Sequence, residues 1–283
     1  MIHSIIIMVL VGIFAGVLGA ILGIGGGMII TPVLTIGFNL DIKYAIGASI
    51  IAVIATSSGA TIAYLKDNVL NLRVAMFLEI ATSIGAVAGA LLTGVINPIF
   101  LYILFGLLLF FSGLNMIKKI WGKQVQTNAT SNDAIAKKLK LNGSYYDKNL
   151  KKQIDYKVTN VPAGLTVMFG AGIASGLLGI GSGAFKVIAM DTFMKMPLKP
   201  SSSTSNLMMG VTAAASATIY FFNGSILPQI AVPLALGIIL GATVGSRVMQ
   251  IMPSKLIRII FIPILIYLGV QMILKGFGVN LLS

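Results

Sequence analysis

The chain contains no cysteine and only one histidine, His3. The lack of cysteine excludes disulfides, thiolate nucleophiles and iron–sulfur ligation. A lone histidine beside the N-terminus makes neither a transition-metal site nor a histidine-based triad, and His3 is expected to be a solvated terminal residue. Acidic residues are also scarce, seven against twenty lysines and arginines. No Gly-x-Ser-x-Gly elbow, His-Glu-x-x-His pair or paired carboxylates within an apolar run occur, which argues against an enzyme. No Gly-x-x-x-x-Gly-Lys-Ser/Thr occurs either, so the chain does not hydrolyse ATP itself. No catalytic residue, metal or cofactor is expected.

What is abundant is apolar sequence. Of 283 residues 57% are hydrophobic and 10% charged, with a mean hydropathy of +0.99. The apolar residues fall in blocks near 4–36, 44–65, 74–96, 99–117, 162–190, 201–222, 228–251 and 256–274. Runs of about 20 apolar residues span a bilayer as helices, whereas barrel strands would alternate over about ten. The fold class expected is therefore an all-α polytopic membrane protein. The first run lacks a basic leader and is too long for a signal-peptide core, so it is expected to be retained.

The net charge of +13 is concentrated in one place. Ten lysines lie between Lys118 and Lys157, among only three acids, Asp133, Asp147 and Asp155. A basic segment between membrane runs points to the cytoplasm rather than to nucleic acid, with attraction to anionic membrane lipid as a minor addition.

The chain repeats itself. At an offset of 156 residues and without a gap, 12–119 match 168–275 at 23 positions. These include Gly23/Gly179, Gly25/Gly181, Gly27/Gly183, Lys43/Lys199, Ser49/Ser205, Thr56/Thr212, Tyr64/Tyr220, Gly85/Gly241 and Gly89/Gly245. The organisation read from this is a first transmembrane repeat over 1–119, a basic cytoplasmic linker over 120–161 and a second repeat over 162–283. Small residues four apart, as in Gly85/Gly89 and Gly241/Gly245, are expected to let helices approach closely.

Both repeats carry a glycine cluster inside their first apolar run. The first reads Gly23-Ile24-Gly25-Gly26-Gly27-Met28-Ile29-Ile30-Thr31-Pro32, the second Gly179-Ile180-Gly181-Ser182-Gly183-Ala184-Phe185-Lys186-Val187-Ile188. Glycine costs a helix about 1 kcal/mol per residue relative to alanine, so each cluster is expected to break the helix. The second half then begins with free N–H groups and a partial positive charge, which favour an anion. If each broken run enters and returns as a helix plus a half-helix, followed by three further spans, the basic residues collect on one side. Only Lys43 and Lys275 then fall outside. The repeats become inverted, with both termini outside and the two breaks facing each other near mid-membrane.

The candidate substrate-binding residues are Gly25, Gly26, Gly27 and Thr31 in the first cluster, and Gly181, Ser182, Gly183 and Lys186 in the second. Ser49, Ser205 and Asn206 join them from the following helices. A charge at membrane depth costs about 2.5–3.5 kcal/mol on insertion scales, so Lys186, whose counterpart is Ile30, is expected to face the anion. Ser201, Ser202 and Ser203 are expected to cap their helix, and Thr56 and Thr212 to bond their own backbone. Glu79 is a proton site or an ion-pair partner of Arg73.

These residues carry a resemblance. Gly19-Ala-Ile-Leu-Gly23-Ile-Gly25-Gly26-Gly27-Met-Ile-Ile-Thr31-Pro32 resembles the signature of the TauE/SafE family of sulfite and organosulfonate exporters. The second cluster and Thr204-Ser205-Asn206-Leu-Met-Met-Gly210-Val-Thr212-Ala are similar to that family's second-half motifs. Ser182 replaces a glycine of the pattern, Ile188 a common proline, and Ala48 a usual threonine. The resemblance covers nearly the whole chain outside the linker. It implies a secondary transporter of small sulfur-containing anions, such as sulfite, sulfoacetate or other sulfonates, in the bacterial inner membrane. Direction follows from the membrane potential: a dianion leaving the cell gains about 4.6 kcal/mol per 100 mV, so export needs no coupling ion. An anion channel and an uptake permease are the alternatives. The sequence leaves the oligomeric state open.

Overall fold

The computed structural model describes residues 2–23, 25–121 and 133–278. Met1, Ile24, the linker stretch 122–132 and residues 279–283 lie outside the described residues, as does the side chain of His3. The chain folds as helices α1 (Ile2–Leu22), α2 (Gly27–Pro32), α3 (Ile42–Lys66), α4 (Leu72–Thr93) and α5 (Pro98–Trp121). The linker then forms α6 (Ala134–Lys138) and a hairpin of β1 (Gly143–Asp147) and β2 (Lys152–Tyr156). Helices α7 (Val161–Leu178), α8 (Gly183–Ile188), α9 (Leu198–Phe222), α10 (Pro228–Ile251) and α11 (Ser254–Gly276) complete it.

Among the described residues α1, α3, α4, α7 and α10 are long and apolar enough to cross a membrane. α9 falls short because hydroxyls and Asn206 fill its first half. Leu10, Met76, Ile80, Leu91, Leu236, Leu240 and Phe222 are all exposed, an outer surface suited to hydrocarbon rather than water. The chain is a multi-pass membrane protein.

Each repeat consists of a broken first helix and three further long helices, as expected, and the two repeats exchange partners. α1 packs along α10, and α7 along α4. The glycines make this possible. A β-carbon at Gly176 would lie 2.0 Å from the Ala86 carbonyl, and one at Gly241 would lie 2.1 Å from that of Ile13. Only a residue without a side chain admits a backbone so close. The contacts also give direction. Gly12 meets Leu234 while Gly245 meets Val17, so α1 and α10 run parallel. Gly85 meets Phe169 and Gly89 meets Ile173, so α4 and α7 do too. Gly276 meets Ile103 and Gly113 meets Ile266, so α5 and α11 run antiparallel.

The breaks have a common form. Gly23 and Gly25 adopt φ +68° and +74°, and Gly179 and Gly181 φ +64° and +66°, the left-handed region that glycine enters without penalty. Ser182 joins them at φ 51°, where a side chain costs about 1 kcal/mol. Each half-helix continues into a π-helical turn, Val33–Gly37 after α2 and Ala189–Phe193 after α8. Pro32 does not set this turn, because the second copy has Ile188 there and turns the same way.

The linker is more than a basic spacer. Its hairpin pairs Gly143 with Tyr156 and Asp147 with Lys152. Leu141, Tyr145, Tyr156 and Val158 share a core with Val74 and Leu78 of α4 and with Met190, Met194 and Met196. Asn71, which caps α4 through Val74 N–H, also donates to the Leu141 carbonyl at 2.7 Å and the Tyr156 hydroxyl at 3.1 Å. Lys199, at the start of α9, donates to Asp147 Oδ1 at 2.8 Å and to the Gln250 carbonyl at 3.0 Å, with both charged side chains almost fully buried. The hairpin is thus fastened to the ends of α4, α9 and α10.

Candidate functional site

The two breaks meet between α3 and α9. Val53 and Met209, themselves 156 residues apart, pack against both. A β-carbon at Gly25 would lie 3.1 Å from Met209 Sδ and 3.3 Å from Val53, and one at Gly181 would lie 2.5 Å from Val53 and 3.3 Å from Met209. At Gly27 a β-carbon would come within 2.5 Å of Ser49 Oγ and 3.1 Å of the Gly179 carbonyl. The candidate glycines therefore sit at one crossing point rather than on separate faces.

The hydrogen bonds at this point follow the repeat. Ser49 donates to the carbonyl of Gly179 at 2.8 Å, and its counterpart Ser205 donates to that of Gly23 at 2.7 Å. The serine of each repeat thus holds the break of the other, and Ser205 also reaches the Gly183 carbonyl at 3.2 Å. Tyr64 donates to Ala20 at 2.8 Å, and Tyr220 to Gly176 at 2.7 Å, each on the last turn before the break of its own repeat. These four side chains satisfy carbonyls that a broken helix leaves without intrahelical donors. Asn206 contributes in the same way, donating to Ala20 and Ser202 while its Oδ1 has no partner. Thr31 is buried with its hydroxyl unpartnered.

Two expectations need correction, and a third is met with an addition. Ser201, Ser202 and Ser203 do not cap α9, which begins at Leu198 after Pro197. They lie inside its first turns, fully enclosed, and Ser202 donates to Ile21 across the interface at 3.3 Å. The helix starts earlier because Pro197, at φ −60° and ψ 151°, already stands at its N-cap. Thr56 bonds its own backbone at Ala52, as expected, but its oxygen also receives the N–H of Gly26 at 3.1 Å, the first residue before α2. Glu79 does not pair with Arg73, whose guanidinium donates to the Lys140 carbonyl in the linker.

Glu79 instead meets Lys186. The ammonium lies 3.6 Å from Glu79 Oε2 and donates to Thr212 Oγ1. Thr212 donates on to Glu79 Oε1 at 2.6 Å, and Ser83 donates to the same oxygen at 2.9 Å. Lys186 is completely buried and does not snorkel. One turn past the second break there is therefore a positive charge held by one carboxylate and one hydroxyl, with Ser83 bonding the carboxylate from its other side. Among the described residues no three His, Cys, Asp or Glu side chains come together to hold a metal. The arrangement offers helix N-termini, hydroxyls and one ammonium, all suited to an anion.

Several of these residues had a readable signal. Ser49/Ser205, Thr56/Thr212 and Tyr64/Tyr220 are identities in the repeat alignment. Val53 and Met209 had none, being two unlike apolar residues among many.

A family model described as sulfite exporter TauE/SafE matches residues 8–272. The probable membrane transporter protein YunE of Bacillus subtilis (strain 168) is 25% identical over 280 residues, covering 96% of this chain and 98% of its own. A probable membrane transporter protein of Methanocaldococcus jannaschii is 25% identical over 283 residues, covering 95% of each. The probable membrane transporter protein YdhB of Bacillus subtilis (strain 168) is 22% identical over 254 residues, covering 90% and 92%. No solved structure matches the chain.

Proposed function

The chain belongs to the sulfite exporter TauE/SafE family of membrane transporters, and from that premise we propose that it is a secondary transporter exporting small sulfur-containing oxyanions such as sulfite, sulfoacetate or other sulfonates. The observation that carries this reading is the crossed pair of serine bonds, Ser49 to Gly179 and Ser205 to Gly23, which ties the end of each first helix to the other repeat, with the half-helix starts Gly27 and Gly183 at the same two contacts. Two such N-termini give a dipolar anion site, each contributing about 0.3–1 kcal/mol, and up to about 2 in partly buried geometry. Lys186 adds the full charge that a dianion stripped of water requires.

The same reading makes the repeats inverted. Its support is the antiparallel course of α5 against its counterpart α11, and the parallel course of each first helix along the other repeat's third long helix. An inverted pair has two alternative ways to open around one fixed site, which is what a carrier requires. The linker hairpin then lies on the cytoplasmic side of a bacterial inner membrane, where its lysines obey the positive-inside rule.

The test is a calorimetric screen of purified protein against sulfite, thiosulfate and sulfoacetate, with chloride and acetate as controls. Saturable binding of at least one sulfur oxyanion, and of neither control, is expected. Binding of none of the three would overturn the assignment.

A further inference from the structure

We propose that Glu79 is a built-in stand-in for the transported anion: it pairs with Lys186, and substrate displaces it in exchange for one proton. The inference rests on the anion reading above and deepens it by naming the coupling ion.

The geometry is lopsided in a telling way. Glu79 Oε1 is saturated, accepting hydrogen bonds from Thr212 at 2.6 Å and Ser83 at 2.9 Å. Oε2 is buried and accepts no hydrogen bond, being held only by the charge of Lys186 at 3.6 Å. The carboxylate is anchored by one oxygen and leaves the other free to gain or lose a counter-charge. Thr212 binds both partners, so a proton or an anion arriving at either is felt by the other.

The repeat shows that the fold does not need this pair. At the offset of 156, Thr212 corresponds to Thr56, Lys186 to Ile30 and Glu79 to Ala235. The corresponding positions of the first repeat therefore hold isoleucine and alanine where the second holds the salt bridge. In the apolar copy the threonine oxygen is taken by the Gly26 N–H instead. Replacing a buried ion pair by apolar residues is often neutral or stabilising, so stability gives no reason to keep the charges in one copy only.

The surrounding groups leave few other routes for charge. α7, packed along α4, carries no ionisable side chain. On α9, Lys199 is engaged by Asp147, and Tyr220 donates to the Gly176 carbonyl. α8 carries Lys186 alone, with Asp191 on the π-helical turn after it. On α4 itself Arg73 donates to the linker. A dianion placed on Lys186 beside an ionised Glu79 would set three negative charges against one positive charge where water is scarce. Protonation of Glu79 removes the excess. One O–H bond forms on the carboxylate, its proton drawn from the solvent on the side of entry, and the Glu79–Lys186 pair gives way to an anion–Lys186 pair. Release on the far side reverses both. Each dianion travels with one proton, so one net negative charge still moves outward, and the membrane potential still favours export.

Thiosulfate and sulfoacetate are the probes, because neither changes its own charge near neutral pH. Calorimetry in buffers of different ionisation enthalpy counts the protons taken up per anion. For the wild type we expect about one proton per anion and an affinity that rises up to about tenfold per unit fall in pH. Glu79→Gln should bind more tightly than wild type at neutral pH, take up no proton and show no pH dependence. The double variant Lys186→Ile/Glu79→Ala installs the residues of the other repeat. It should remain folded and lose probe binding, which separates loss of charge from loss of structure. Wild-type binding without proton uptake overturns this inference alone, as does uptake unchanged in Glu79→Gln or wild-type affinity in the double variant. If Glu79→Gln does not fold, the wild-type proton count decides. Failure of the wild type to bind either probe overturns the anion reading itself, and this inference with it.

Discussion

Gly27 shows what single residues do in this molecule. Its missing side chain leaves room for Ser49 to reach the Gly179 carbonyl, and a β-carbon there would stand 2.5 Å from the serine oxygen and 2.7 Å from Val53. Gly27→Val must push α3 or the opposite break aside, an overpacking that costs about 1–3 kcal/mol. The variant should reach the membrane with a lowered Tm and no transport. Transport at the wild-type rate would show that the breaks are packing features only. Lys186 calls for a different substitution strategy. Lys186→Met removes one partner of a buried pair and strands Glu79, at a cost of about 3–5 kcal/mol in stability. A drop in anion affinity in that variant would therefore mix lost structure with lost charge. The lysine was legible in the sequence as a charge in an apolar run. Its partner was not, because Glu79 belongs to the other repeat and nothing in local spacing joins them; the nearer Arg73 looked the better match.

At the scale of elements, the broken helices were legible and the hairpin was not. Four glycines in five residues announce a break without any knowledge of packing. The segment 143–156 is too short and too charged for its alternating Tyr145, Ile154 and Tyr156 to outweigh ten lysines read as a solvated linker. Only the docked structure shows that Asp147 and Lys199 bury one another. Burial alone would raise the Asp147 carboxyl, but the Lys199 ammonium and the N–H groups of Leu150 and Asn149 outweigh it, and the group titrates below its ordinary 3.8. The sign follows directly. A depressed carboxylate contributes stability that is complete above its ordinary value and is lost as pH falls through the depressed one. Hairpin docking should therefore be constant from neutrality down to about pH 4 and fail below it. Asp147→Asn should loosen it at every pH, seen as protease cleavage within 143–156 while the helical core stays intact. Equal protection of variant and wild type would show that the apolar contacts of Tyr145 and Tyr156 suffice.

At the scale of the whole molecule, the offset of 156 is the organising fact. It was visible as 23 identities and returns as paired hydrogen bonds, Ser49 with Ser205 and Tyr64 with Tyr220. The exchange of partners, α1 on α10 and α7 on α4, lay beyond the sequence, since close-packing glycines announce a neighbour without saying which. The proposed orientation has its own check in this cysteine-free background. Leu150→Cys, at an exposed position of the hairpin, should be labelled by an impermeant maleimide only after the cells are opened. Labelling in intact cells would put the linker outside and reverse the assignment. The central claim is that the paired breaks carry a sulfur oxyanion alternately to either side. Counterflow in proteoliposomes tests it most directly, with labelled sulfite or sulfoacetate outside and unlabelled anion within. Saturable uptake that is accelerated by the internal anion and abolished in Gly27→Val is expected. Uptake indifferent to the internal anion would indicate a channel, and no uptake of any sulfur oxyanion by the wild type would overturn the assignment of a sulfur-oxyanion carrier.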